Sequence, residues 1–383
     1  MLISVIIPSY NSEKTIQKTV LAIKNQQGLD IPPEIIVVDD GSKDKSLNLL
    51  NKIDGIRVIT QNNSGPATAR NKGAKIAKGD ILVFTDSDTV PHYDWLKKLV
   101  EPFYSTTNIV ATTGTYSIEN KESKLAQLIQ SEIEYKHSNY KDFVAFGGSY
   151  NFAIKKDLFE EIGGFNEEYR YASGEDVDIC YKILNKGYKI RFVKDAVVGH
   201  FHPEKLYKYL ITQLKHGFWR AKLYYDHPNK ATGDDYTGLK EIIETLSAGF
   251  TIVSPLLYLL NLLLLKKQNN RTFFENRHRE ALKEPWQSVK NYDLISLIKK
   301  FPYLLRRHSP LIKGMFIFPT ILLLFIEYTF VSKFYSNSIR SQNNLPSKLY
   351  ATIVFSLRAI YRTFGFIKGL IYFSKSLLKR KLS

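Results

Sequence analysis

The chain is short of sulfur: its 383 residues include one cysteine, Cys180, and two methionines. A lone cysteine excludes an internal disulfide framework and fits a reducing compartment. Acidic residues are scarce towards the C-terminal end. From Glu241 onward 22 Lys and Arg face 7 Asp and Glu, while the whole chain holds 54 and 37, so the net charge of +17 arises almost entirely there. Such an excess can mark a nucleic-acid binder, but here the basic residues flank long apolar runs instead of covering a polar domain. That pattern points to anionic lipid, and no nucleic acid is expected as a partner. Met1 to Pro8 is expected to form a short apolar strand closed by turn residues, not a secretory signal.

What is present centres on Ile81-Leu82-Val83-Phe84-Thr85-Asp86-Ser87-Asp88, an apolar run that stops at two carboxylates one residue apart. The run reads as a buried strand, and ligands bind at the carboxyl end of such strands in open α/β sheets. In extended geometry Asp86 and Asp88 point the same way, which suits a hard divalent cation that also takes phosphate oxygens. Asp-Ser-Asp is also common turn chemistry.

Strand and helix alternate from the start. Leu2 to Ile7 reads as a strand broken by Pro8-Ser9-Tyr10-Asn11, with a helix beginning near Ser12 or Glu13. Tyr10 at that strand end suits stacking on a base or packing under the helix. Glu34 to Val38 is a second strand ending in Asp39-Asp40, either of which could accept a hydrogen bond from a nucleobase or ribose. Ile56 to Thr60 is a third, and Gly65-Pro66-Ala67 opens a helix whose Arg70 faces a diphosphate or solvent. Gly79 reads as that helix's C-cap. This alternation predicts an α/β fold with a mostly parallel sheet and helices on both faces.

Further on, the sequence predicts helix at Tyr93–Tyr104, strand at Ile109–Thr115 and an amphipathic helix at Ser123–Lys136. The pair Gly147-Gly148, followed by Ser149 and a strand, marks a bulge or a close approach of backbone to ligand. Gly174-Glu175-Asp176-Val177-Asp178 opens another helix. By the i, i+4, i+7 rule Asp176 shares the inward face with Cys180, making it a candidate general base, while Glu175 and Asp178 fall on other faces and serve the macrodipole. Val197 to His202 ends a strand with His200 and His202 at period 2, and a helix follows from Pro203 to about Tyr225.

Taken in order, Val5-Ile6-Ile7-Pro8-Ser9-Tyr10-Asn11, Val37-Val38-Asp39-Asp40-Gly41-Ser42, Gly65-Pro66-Ala67 through Arg70-Asn71, Asp86-Ser87-Asp88, Gly163-Gly164-Phe165 and Gly174-Glu175-Asp176 resemble the family 2 glycosyltransferases over about residues 1 to 230. These are inverting enzymes with the GT-A fold that use nucleotide-diphospho-sugars. The resemblance implies that Pro8, Tyr10, Glu13 and Asp40 form the nucleobase pocket and that Arg70 and Asp86 contact ribose and phosphates. It implies that Asp88 and His200 hold Mg²⁺ or Mn²⁺, that Asp176 is the base, and that Gly148, Ser149, Glu175 and Trp219 lie on the acceptor side. Gln213 is followed by Leu214-Lys215-His216-Gly217-Phe218-Trp219-Arg220, not by the Gln-x-x-Arg-Trp element of processive synthases, which favours transfer of one sugar.

The chain therefore divides into a Rossmann-like GT-A catalytic domain, 1–230, and a basic membrane-associating helical region, 231–383, with C-terminal hydrophobic or transmembrane helices. Candidate membrane segments are 246–265 and 311–332, and 349–373, which carries Arg358, Arg362 and Lys368, suits an interfacial amphipathic helix. The stretch Lys266–Pro310 holds 11 Lys and Arg against 4 Asp and Glu, so the positive-inside rule keeps it cytoplasmic. That makes 246–265 re-entrant, interfacial or part of an even number of crossings.

The expected function is inverting transfer of a single sugar from a nucleotide-diphospho-sugar to a hydroxyl of a membrane-presented acceptor, a polyprenyl-linked saccharide. The expected location is the cell membrane, with the catalytic domain on the cytoplasmic side. One rival transfers the sugar to polyprenyl phosphate. Another is a non-catalytic basic protein that binds membrane surface or nucleic acid. A nucleotidyltransferase is disfavoured because Ser9-Tyr10-Asn11 stands where a glycine- and lysine-rich phosphate loop would be.

Overall fold

Every residue of β1 (Ile3–Ser9) is buried, because helices cover both faces of the sheet and alternate side chains enter two separate cores. Val5 and Ile7 pack with Val37 and Val83 under α1 (Ile16–Lys24) and α4 (Trp95–Val100), while Ile6 packs with Val38 and Phe84 under α3 (Pro66–Ile76). These relations come from a computed structural model, which describes residues 1–105, 109–171, 173–230, 244–249, 321–329, 331 and 345–382.

The remaining strands are β2 (Glu34–Asp39), β3 (Arg57–Thr60), β4 (Ile81–Thr85), β5 (Thr89–Pro91), β6 (Ala111–Ile118), β7 (Phe143–Val144), β8 (Asn151–Lys155) and β9 (Ile190–His200). They form one sheet in the order β3-β2-β1-β4-β8-β6-β9-β5, with β7 also paired to β9. β3, β2, β1 and β4 are parallel, and the chain reverses its direction of travel across the sheet between β1 and β4. That switch point opens a crevice at the carboxyl ends of β1 and β4. The sheet as a whole is mixed, not mostly parallel: β8 runs antiparallel to β4 and β6, β5 and β7 run antiparallel to β9, and β6 pairs parallel with β9. Hydrophobic runs show burial but not strand direction, and the antiparallel members enter after a long excursion.

Helix α3 lies close on the sheet because Ala67, Ala69, Gly73 and Ala74 form its inner face. Gly79 is not the C-cap: the helix ends at Ile76, and a Cβ on Gly79 would meet the Ser4 backbone. The other helices that matter here are α6 (Lys124–Ser138, capped by Ser123), α8 (Glu175–Asn185), α9 (Leu206–Asp226) and α10 (Leu345–Leu382).

The expected interfacial segment 349–373 lies within α10, which packs along α9. Glycines allow the contact: a Cβ on Gly217 would collide with the Arg362 carbonyl, and one on Gly365 with the Leu214 carbonyl. Arg358 is buried and donates to Glu132 of α6 at 2.6 Å, and Arg362 donates to Gln213 of α9 at 2.6 Å. Among the described residues no helix is long and apolar enough to cross a membrane. Of the two candidate membrane segments, 246–249, 321–329 and 331 are described and helical, and the rest, with 266–310, lies outside the described residues. Gly365→Leu should overpack the α9–α10 crossing and cost about 1–3 kcal/mol. Faster amide exchange and earlier proteolysis along α10, with α3 unchanged, would be the readout.

Candidate active site

The turn after β1 is tied to the turn after β2. Asn11 adopts a left-handed conformation (φ 49°), its Oδ1 accepts from the Lys43 amide at 2.8 Å, and its own amide donates to Ser42 Oγ at 2.9 Å. Asn tolerates this backbone better than most residues. Pro8 is buried beneath, Tyr10 is 48% exposed, and Glu13 stays on the surface, where it accepts from the Lys45 amide at 3.1 Å.

Asp40 departs from its expected role. Both its oxygens are engaged by the chain, Oδ1 with Gln61 Nε2 and the Ser64 amide (2.8 Å each) and Oδ2 with the Gly65 amide at 2.9 Å, so it organises the loop that starts α3. Its neighbour Asp39 accepts from the Ser42 amide and keeps Oδ1 buried without a hydrogen-bond partner among the described residues. Sequence alone left the choice between adjacent acids open, since it depends on how the 61–65 loop folds back.

Arg70 is 1% exposed, so it is not solvated, and both its Nη groups are engaged by acids of the chain. The small face of α3 carries it under the crevice, where Nη2 donates to Asp86 at 2.7 Å and Nη1 to Glu175 at 3.0 Å. This ion pair joins the end of β4 to the start of α8. Gly174 makes the approach possible with φ 100°, and a Cβ there would strike the Tyr169 ring at 2.8 Å.

The faces of α8 differ from the heptad reading. Glu175 and Asp178 are buried, whereas Asp176 is partly exposed. Glu175, expected on the acceptor side, is held under Arg70 and also accepts from the Ser173 amide at 2.7 Å. Asp178 pairs with His227 at 2.8 Å and Lys182 at 3.1 Å. Burial acts upward on its carboxyl, but the His227 hydrogen bond and the Lys182 charge hold it below the ordinary range. The rule failed because α8 is sandwiched: Ile179, Cys180 and Ile183 enter the sheet core, while Val177 and Tyr181 enter a second cluster with Trp219.

Asp176 accepts from the Ser149 amide, which places the expected acceptor-side pair Gly148-Ser149 beside the candidate base. The loop is pinned from below, where the Gly147 amide donates to Cys180 Sγ at 3.3 Å. Enclosure raises the Asp176 carboxyl above its ordinary value, with Arg70 opposing and Asp86 adding to the rise. Glu175 is pushed up to about 8, by burial first and then by Asp176. Trp219 is 8% exposed and packs on Tyr169, Tyr171 and Phe373. It helps line a cavity of about 840 Å³ with Tyr171, Lys222 and Tyr372.

At the other side of the crevice, His200 Nε2 lies 3.6 Å from Asp88 Oδ2. Burial raises the Asp88 carboxyl, His200 pulls it down, and Asp86 raises it further. Among the described residues no group of three or more His, Cys, Asp or Glu is placed to hold a metal. Among the described residues Asp88 and His200 stand together as two donors, which suits Mg²⁺ or Mn²⁺ that completes its shell with phosphate oxygens and water. Charge supports this fit, since Asp86, Glu175 and Asp176 surround Arg70 and Asp88 adjoins Asp86, which leaves a surplus of negative charge.

Sequence reasoning missed what lies behind His200. Gln130 and His202 are both buried and hydrogen bonded to each other, and the stacked pair Tyr116 and Tyr150 (3.6 Å) packs under the imidazoles. The signals available were the period-2 pair His200 and His202 and the inward position of Gln130 on amphipathic α6.

An α/β sheet with an acid pair and a histidine at its strand ends, and a further carboxylate at a helix start beside them, is the setting of a glycosyltransferase. Residues 4–163 match the family described as Glycosyl transferase family 2, and residues 129–205 match one described as N-terminal domain of galactosyltransferase. Over residues 4–163 the chain is thus similar to family 2 glycosyltransferases, and its α/β fold is GT-A-like. It is 27% identical over 241 residues to the pre-mycofactocin glycosyltransferase of Mycobacterium tuberculosis, covering 60% of this chain and 48% of that protein. To the poly-β-1,6-N-acetyl-D-glucosamine synthase of Staphylococcus aureus it is 30% identical over 217 residues, covering 53% and 51%. The chain thus spans about half the length of these curated relatives. Among solved structures, the mannosyltransferase PcManGT of Pyrobaculum calidifontis, in complex with GDP-Man and Mn²⁺, shares the fold with a TM-score of 0.54 at 17% identity, over 96% of this chain and 86% of that one.

Proposed function

We propose that this chain transfers one sugar, with inversion, from a nucleotide-diphospho-sugar to a hydroxyl of a saccharide presented at a membrane surface on a polyprenyl carrier. The observation that carries the reading is the buried Arg70, which brings Asp86 and Asp88 at the end of β4 into one cleft with Glu175 and Asp176 at the start of α8.

In this reading the acceptor hydroxyl gives its proton to Asp176 as its oxygen attacks the anomeric carbon. The bond from that carbon to the diphosphate breaks on the opposite face, and the nucleoside diphosphate leaves. A bound Mg²⁺ or Mn²⁺, held by Asp88 and His200, supplies positive charge to the diphosphate oxygens. Tyr10 offers a stacking face for the base, and Asp39 keeps the acceptor oxygen that Asp40 lacks. Asp86 is tied to Arg70 through Oδ1 and its side chain is 31% exposed, which leaves it open to ribose or phosphate. Ser149 positions Asp176, and Trp219 with its cavity lies on the acceptor side.

Membrane attachment at the cytoplasmic face of the cell membrane belongs to the same proposal. On α10 the outward residues Leu349, Ile353, Phe364 and Ile371 are apolar and exposed, while the inward side holds Thr352, Ser356, Arg358 and Thr363. A helix that is more apolar outside than inside matches a lipid-facing element, and the basic excess favours anionic headgroups.

The test is a panel of nucleotide-sugars with membrane extract as acceptor, reading the mass added to lipid in the presence of Mn²⁺. Asp88→Ala should raise the Mn²⁺ needed for half-maximal transfer by more than the roughly 10–100-fold typical of losing an outer-shell partner. Full metal-dependent activity in that variant would remove Asp88 from the site. Mass added to protein or nucleic acid and not to lipid would defeat the acceptor assignment.

A further inference from the structure

The hydrogen bonds behind His200 have a direction that can be read from their outer end. Gln130 Nε2 donates to the Tyr116 carbonyl at 3.1 Å and to Glu134 Oε1 at 2.9 Å. Both partners are acceptors, so the amide orientation is settled and Gln130 Oε1 is the atom 2.9 Å from His202 Nε2. Nε2 of His202 therefore carries the proton. His202 is 5% exposed and its ring nitrogens meet Gln130 and His200; in the neutral ring, with the proton on Nε2, Nδ1 is bare. The group facing that bare nitrogen is His200 Nδ1, at 3.3 Å, which must donate.

In the neutral His200 ring Nδ1 then holds the proton. Nε2, facing Asp88, is the nitrogen free to accept a cation. The backbone of His202 is locked as well: its amide donates to Asn120 Oδ1 at 3.0 Å, and Asn120 Nδ2 donates to its carbonyl at 2.8 Å. The Tyr116 ring lies 4.8 Å from the His200 ring and 5.9 Å from that of His202, restricting both.

We propose that Gln130 and His202 are positioning residues that fix the tautomer and orientation of His200, so that Nε2 beside Asp88 coordinates the divalent cation. This rests on the metal-dependent function proposed above. Outer partners of a ligating histidine set which nitrogen is available and how the ring is aimed.

The test uses the full-length protein labelled with ¹⁵N-histidine. Without metal, long-range ¹H–¹⁵N spectra should show His200 protonated at Nδ1. Mn²⁺ binding, followed by electron paramagnetic resonance in the presence of UDP and, separately, GDP, should weaken by about 10–100-fold in Gln130→Leu. His202→Leu, which removes the ring nitrogen facing His200 Nδ1, should bring a loss of the same size. The thermal transition of each variant separates a misfolded protein from a misaimed ligand. A bare Nδ1 on His200 in the native protein, or native Mn²⁺ affinity in a folded Gln130→Leu, would overturn the proposal. If the native protein bound no Mn²⁺ with either nucleotide, the metal-dependent reading would fall first, and this role with it.

Discussion

Replacing Asp176 by Asn is expected to lower kcat by about 10²–10⁴ while leaving the donor KM nearly unchanged. The substitution preserves shape and the contact with the Ser149 amide region, but removes the ability to take a proton. The side chain sits at the cleft, partly exposed, with its pKa raised by enclosure. A raised pKa makes a stronger base but one that titrates sooner. The native enzyme should therefore lose activity as pH falls through a value above the ordinary carboxylate range, because the protonated form cannot accept the acceptor's proton. In Asp176→Asn that acid limb should vanish along with most of the rate. Steady-state kinetics against pH, with donor binding measured separately, checks both statements. If turnover stayed largely intact, the acceptor would be one that needs no base, such as a lipid phosphate, and the hydroxyl-acceptor reading would be lost.

Arg70→Met should cost about 3–5 kcal/mol of stability, since truncating one partner of a buried ion pair leaves the other charges uncompensated. Arg70 donates to both Asp86 and Glu175 within 3.0 Å, and the Glu175 side chain is only 2% exposed. Methionine fills comparable volume, which separates the charge effect from a cavity. The sign of the pH dependence follows from the acids. Without Arg70 the Glu175 carboxyl rises further above its unfolded value, so the folded state binds more protons and gains stability as pH falls through that raised value. Because Glu175 is already pushed up to about 8 in the native chain, the deficit measured by denaturant titration should be smallest below that pH and grow as pH rises through it. A variant as stable as the native chain above that pH would show that Arg70 does not hold the two acids together.

The placement of strands was legible because apolar runs of four to seven residues ended in turn residues at β1, β2 and β4. Candidate residues at their carboxyl ends followed from the geometry of parallel sheets. Less legible were the roles of neighbours. Asp39 and Asp40 are adjacent in sequence, yet loop 61–65 engages one and leaves an oxygen of the other without a partner. Glu175 and Asp176 were assigned to the wrong faces because a helix covered on two sides does not obey a single apolar stripe. Arg358 read as an interfacial cation in an amphipathic helix, but Glu132 lies 226 residues earlier and only folding brings them together.

By itself the sequence determined an α/β fold with acids at strand ends and a basic, apolar C-terminal stretch, because periodicity and composition are local properties of the chain. Only the tertiary structure decided that the sheet is mixed, that Arg70 is buried between Asp86 and Glu175, and that α10 docks on α9. It alone showed Gln130 and His202 standing behind His200. Each of these depends on which distant groups meet in a low-dielectric interior, where an unpaired charge or donor is costly and partners are chosen by proximity in space.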